Sequence, residues 1–234
     1  MSTAPRWLTA LKKATEEHSK STLFQLATVD AQNRPHVRSM INRDFMDVEG
    51  KPGLPLLISS TDARTPKTRE LAAHPSVELC WWIDGSGDQF RIAGRMRIVP
   101  SPELKTSLPP SAPAPADCPA LAAHDAAGMD WQKVRREQFE AVSEHMRASW
   151  CRPPPGEALP GGYPAMDEWP TTVKKLAEAE TEEEKKLSQE AFRNYALVIL
   201  EPSEVDWVQM AIKPNRRTRF RRFGEEWKEE VIVP

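Results

Sequence analysis

One decapeptide narrows the fold of this chain more than any other stretch. In the segment 89–98, QFRIAGRMRI, the residues Phe90, Ile92, Met96 and Ile98 take alternate positions, and Gln89, Arg91, Arg95 and Arg97 fill the others. A side-chain period of two belongs to a β-strand with one face on a core and the other turned outward. Gly94 interrupts the apolar row, which predicts a bulge or the close approach of another backbone.

The neighbouring segments extend the pattern. Residues 22–29, 36–45, 55–60 and 76–83 read as short strands, with the turn DAQNRP (30–35) joining the first two as a hairpin. Two helices accompany them. Residues 4–18 place Trp7, Leu8, Leu11 and Ala14 at helical spacing, and 65–73 start with Thr65 as N-cap and Pro66 at the first helical position. Beyond Pro100 a proline-rich stretch predicts an insertion loop over 100–129, because proline neither donates to a ladder nor continues a helix. A helix is expected over 130–148, with Trp131, Val134, Phe139, Val142 and Met146 inward. An irregular and then charged helical insertion follows over 152–190, its helix expected at 171–190. Strands return at 195–200, 204–210, 216–222 and 226–233. Antiparallel strands without βαβ alternation predict a mainly β fold with α (α+β). The expected architecture is a single domain over 1–234, a split antiparallel β-barrel with peripheral helices.

Charge and composition exclude several functions. The formal net charge is −2, so no bulk attraction to nucleic acid is expected. The segment 213–222 has six basic residues in ten, but glutamates at 225, 226, 229 and 230 are placed to pair with it across a hairpin. No apolar run reaches the ~18–20 residues that span a bilayer, and the charged N-terminus does not read as a signal peptide. The three cysteines, Cys80, Cys118 and Cys151, and the five scattered histidines show no metal-ligand spacing, so no metal is expected. These readings point to a reduced, cytoplasmic setting.

Three segments carry chemistry. Arg38-Ser-Met-Ile-Asn-Arg43 puts arginines at both ends of a strand segment. Ser60-Thr-Asp-Ala-Arg64-Thr65-Pro-Lys67 runs from a strand end into a helix start, where hydroxyls, N–H groups and a cation suit a phosphate. Gln89 offers a donor and an acceptor, as the edge of a polar heterocycle requires.

In this order, these segments resemble the pyridoxamine 5′-phosphate oxidase family of split barrels that bind flavin mononucleotide (FMN). The likeness also takes in HPSVELCWW (74–82), RASWCRPPPG (147–156) and VDWVQM (205–210). The resemblance implies that Arg38 and Lys67 hold the FMN phosphate, with Arg64 and Thr65 nearby. It implies that Ser39, Met40, Ile41, Ser60 and Thr61 run along the ribityl chain and ring, and that Gln89 reaches the isoalloxazine edge. Arg147, Ser149, Trp207 or Val208, and Arg217 are implied to complete the site from the second subunit of a homodimer, and Arg43 to face the substrate.

The chain also departs from the family. Where the oxidases grip their pyridine substrate with Arg-Leu-His-Asp-Arg, this chain has Lys213-Pro-Asn-Arg-Arg217. A glycine-rich WGG stretch is missing, and Arg43 replaces a lysine. The expectation is therefore an FMN-dependent oxidoreductase acting on a small molecule through an altered substrate pocket. The alternative is a flavin-binding sensor or carrier without turnover. No protein acid or base is named as catalytic, because in such enzymes the flavin carries the chemistry.

Overall fold

The computed structural model describes residues 3–104 and 117–234. In chain order the elements are α1 (Arg6–Glu17), β1 (Leu23–Val29), β2 (Pro35–Val48), β3 (Lys51–Asp62), α2 (Pro66–Ala73), β4 (Ser76–Ile83), β5 (Asp88–Val99), α3 (Pro119–Ala126), α4 (Trp131–Ala141), α5 (Glu144–Ala148), α6 (Glu182–Asn194), β6 (Tyr195–Gln209), β7 (Arg216–Phe223) and β8 (Glu226–Ile232). Short 3-10 turns occupy Ser149–Cys151 and Tyr163–Glu168.

The sheet runs β3-β2-β1-β4-β5-β6-β7-β8, and a further β3–β6 pairing closes its first six strands into a barrel. All pairings are antiparallel. β7 and β8 extend the sheet beyond the closure. This is the α+β split barrel expected from the strand order.

Alternation along the strands sorts two cores. Phe24, Leu26, Met40, Leu57, Trp81, Phe90 and Ile92 pack into one, which α1 joins through Trp7, Leu8 and Leu11. Their neighbours Leu56, Ile58, Val99, Leu197 and Ile199 form the other, under Leu121 of α3 and Trp131 and Val134 of α4. β3 and β6 are thus buried on both faces, and each fully buried large apolar side chain contributes about 1.5–3 kcal/mol. A third cluster of Phe139, Trp150, Ala191 and Tyr195 ties α4, α6 and the 3-10 turn at 149–151 together.

Gly94 sits where it was expected to matter. The β5–β6 register slips between Ala93 and Gly94, and a Cβ at Gly94 would lie 2.1 Å from the Glu201 carbonyl oxygen. The same irregularity accommodates Pro202 inside a strand, so the two expected strands 195–200 and 204–210 are one, Tyr195–Gln209.

Other boundaries differ for local reasons. β2 and β3 run longer than expected and meet at a turn where Gly50 takes φ +71°. The helix expected over 130–148 breaks at Val142, which is extended, and Ser143 then caps α5 by accepting from the Met146 N–H at 3.3 Å. α3 lies within the expected insertion loop. The buried Glu201 carboxylate accepts from the N–H groups of Ala120 (3.0 Å) and Leu121 (2.9 Å) and pairs with Arg222 at 3.1 Å, so the cap comes from a distant strand. Residues 105–116 of that loop lie outside the described residues. The charged helix starts at Glu182, later than the expected 171, because Thr181 and Glu184 form a capping box. Among the described residues, no helix is long and apolar enough to cross a membrane.

Candidate functional site

A cleft of about 540 Å³ opens between the barrel and the segment 146–169. Its barrel side is made by Ser39, Met40, Ile41 and Arg43 of β2, Ser60, Thr61 and Asp62 of β3, and Thr65 and Lys67 at the start of α2. Its outer wall is made by Met146, Ser149, Trp150, residues 152–159, Met166 and Trp169.

Local backbone geometry sets the two cations of the barrel side. The β2–β3 register shifts between Asn42 and Asp44, so Arg43 lies at an irregularity of the kind that re-aims a side chain. Its Nε donates to Ser60 Oγ at 3.2 Å. Burial lowers its pKa, opposed by the nearby Tyr195 phenol. Lys67 Nζ donates to Thr61 Oγ1 at 2.9 Å and to Thr65 Oγ1 at 3.2 Å. Burial, followed by the Arg38 charge, pushes its pKa down to about 8 against the pull of Asp62 and Glu70. Among the described residues, neither cation is in ion-pair contact with a carboxylate.

The other arginines implied by the resemblance are committed elsewhere. Arg38 donates to Glu70 Oε2 at 2.8 Å and to Thr28 Oγ1, which places its guanidinium behind the cleft, near Lys67 but outside the lining. Arg64 forks onto the Asp62 carboxylate at 2.9 and 2.6 Å and donates to the carbonyls of Trp150 (3.3 Å) and Arg152 (2.9 Å). It therefore fastens the outer wall to the barrel and does not face the cleft. Arg147 is 1% exposed and donates to the carbonyls of Val173 (2.8 Å) and Val142, so it organises the turn between α4 and α5. The resemblance implied a cofactor ligand; within one chain its Nε and Nη1 donate to backbone carbonyls and it does not line the cleft.

Thr65 holds the N-cap position of α2, but its hydroxyl donates to the Asp62 carbonyl at 2.8 Å and caps nothing. Ser149 lines the cleft of its own chain, although the resemblance implied that it reaches a partner's.

Gln89 and Arg217 lie on a separate surface, whereas Trp207 is 7% exposed and belongs to the barrel core. Val208 pairs with Gln89 on one side and with Arg217 on the other, which puts the three in one cross-strand row. Arg217 forks onto Asp206 at 2.9 and 2.6 Å. Trp207 donates to Asp88 at 2.8 Å and stacks on Phe90 at 5.4 Å. None of these lines the cleft of its own chain. The sequence reading missed the outer wall: Arg152, Leu159, Met166 and Trp169 fall in a stretch without period, whose one signal is the run Trp150-Cys-Arg-Pro-Pro-Pro155.

Residues 4–100 match the family model described as pyridoxamine 5′-phosphate oxidase, FMN-binding domain. The chain is 26% identical over 229 residues to pyridoxine/pyridoxamine 5′-phosphate oxidase 2 of Arabidopsis thaliana, covering 95% of this chain and 92% of that one. A pyridoxamine 5′-phosphate oxidase-related, FMN-binding protein from Nostoc punctiforme superposes with a TM-score of 0.72 at 25% identity, covering 100% of both chains. PhzG from Burkholderia lata shares the fold, with a TM-score of 0.59 at 16% identity over 100% of this chain and 94% of that one.

Proposed function

We propose, from the likeness of this chain to pyridoxamine 5′-phosphate oxidase-like FMN-binding proteins, that it holds FMN in the cleft between barrel and outer wall and acts as an oxidoreductase on a small molecule. The observation that carries this reading is a pair of cations in the cleft. Arg38, Arg64 and Arg217 are paired with Glu70, Asp62 and Asp206, whereas, among the described residues, Arg43 and Lys67 line the cleft with no carboxylate in ion-pair contact. A partly buried cation is costly until an anion joins it, so these two favour an anionic ligand.

The residues present fit FMN. Lys67 and the hydroxyls of Thr61 and Thr65 supply charge and hydrogen bonds for a phosphate, with Arg38 adding positive potential from behind. Ser39, Met40, Ile41 and Ser60 form the strip along which the ribityl chain and ring lie, and Arg43 stays available to a substrate. FMN, when bound, supplies the two-electron chemistry. The chain's own part is to orient the ring, exclude water with the wall at 146–169 and balance charge.

A homodimer completes the site in this proposal. The row of Gln89, Val208 and Arg217 is presented by one copy to the cleft of the other. Val37 (70% exposed), Trp82 (40%) and Met210 (47%) are apolar surface that such a contact covers.

An absorbance spectrum of the purified protein tests the cofactor: flavin bands are expected, and their absence after incubation with FMN would sink the reading. Light scattering should return twice the mass of one chain. Anaerobic mixing with reduced nicotinamide or with candidate substrates separates an oxidoreductase, whose flavin bleaches, from a flavin carrier, whose flavin does not.

A further inference from the structure

We propose that the outer wall of the cleft selects a flat, largely apolar substrate bearing a single carboxylate, and disfavours a phosphate ester. The inference rests on the cofactor reading above and names the substrate class of the same site. Three features of the segment 152–169 carry it.

The first is what the wall lacks. A phosphate dianion is held by several N–H donors together with cations. Pro153, Pro154 and Pro155 all line the cleft, and proline has no N–H, so three consecutive wall residues offer an anion no backbone donor. Leu159, Met166 and Trp169 add apolar surface, and Glu157 adds a negative charge that repels a dianion more than a monoanion.

The second is the one cation that the wall brings. Among the described residues, Arg152 is the wall's only cleft-lining cation. Its guanidinium lies 5.7 Å from the centroid of the Trp169 ring. A planar guanidinium held beside an aromatic face is oriented to meet one carboxylate with two parallel hydrogen bonds, next to a surface on which a flat ring can stack.

The third is rigidity at the base of the wall. The Trp150 carbonyl accepts from Asn194 Nδ2 at 2.8 Å and from Arg64 at 3.3 Å, and the Arg152 carbonyl accepts from Arg64 at 2.9 Å. The backbone that carries Arg152 is thus held before any ligand arrives, which lowers part of the ordering cost of binding.

Calorimetric titration of the full-length, FMN-loaded protein with 2-naphthoate, 2-naphthol and pyridoxine 5′-phosphate tests the proposal. Naphthoate should bind at least about tenfold more tightly than the phosphate ester, and Arg152→Ala should weaken naphthoate by about tenfold while leaving naphthol within about twofold. Tighter binding of pyridoxine 5′-phosphate overturns the proposal, as does an equal effect of Arg152→Ala on naphthoate and naphthol. Arg152→Gln, which keeps most of the side-chain bulk, repeats the comparison if the alanine variant does not fold. Protein that takes up no FMN overturns the cofactor reading instead, and the naphthoate comparison on that protein still decides the wall.

Discussion

Arg38 and Glu70 form an ion pair at 2.8 Å beside Lys67, which lies one turn earlier on α2. The carboxylate, 9% exposed, also accepts from the buried Thr28 hydroxyl at 2.6 Å. One carboxylate thus sets how much positive charge reaches the cleft: it pairs with the arginine and acts on the lysine only at a distance.

Replacing that carboxylate should move stability and affinity in opposite directions. Glu70→Gln leaves Arg38 partly buried without a partner and should cost about 2–4 kcal/mol in urea denaturation, toward the low end because Arg38 keeps some solvent. The freed guanidinium should tighten FMN binding several-fold, read by quenching of flavin fluorescence. A loss of affinity that tracks the loss of stability would count against this account of the site.

Lys67 should make phosphate binding depend on pH. Its pKa in the folded chain is about 8, against an ordinary value of 10.5, and burial is the main cause. The sign follows from proton counting. Between those two values the unfolded chain binds more protons at this group, so its contribution to stability rises with pH through that window and is least favourable below it. Anion binding runs the other way, since only the protonated lysine attracts a phosphate. FMN affinity should fall as pH rises from 7 to about 9, while riboflavin, which lacks the phosphate, should change little. Lys67→Arg should flatten the FMN profile, and Lys67→Ala should weaken FMN by about 10- to 100-fold at pH 7. An unchanged profile in Lys67→Arg would remove the lysine from the phosphate site.

Arg64 should act through the wall. Arg64→Ala removes the donors to the Trp150 and Arg152 carbonyls and leaves Asp62 without its partner. Hydrogen exchange at residues 150–159 should quicken, and FMN should dissociate faster, by about tenfold. Faster flavin release without faster exchange would instead make Arg64 a direct ligand.

Gly94→Ala tests the β5–β6 crossing. Its Cβ would lie 2.1 Å from the Glu201 carbonyl oxygen, and backbone atoms on both strands cannot yield cheaply. A loss of about 2–4 kcal/mol is expected in thermal or urea unfolding. A neutral substitution would mean that the strands separate more readily than the register implies.

Much of this was legible in the chain because it depends on neighbours in sequence. The period of two in 89–98, the Pro66 start of α2 and the spacing of Trp7, Leu8 and Leu11 are local rules, and the barrel strands and helices follow them. So does the clustering of Ser39–Ile41 and Ser60–Lys67, since two strands paired in register bring fixed positions together. The roles of the arginines were not local. Arg38, Arg43, Arg64 and Arg147 carry the same group, and what separates them is which carboxylate or carbonyl meets each one: Glu70, 32 residues from Arg38; Asp62, two from Arg64; Val173, 26 from Arg147; and, for Arg43, none among the described residues. The wall at 152–169 and the start of α3 escaped for the same reason, being held by Arg64, Asn194 and Glu201 from elements that no periodicity connects. The sequence determined which segments form strands and which cations exist. Only tertiary packing, by burying some charges beside partners and others beside none, decided which cations are left for a ligand.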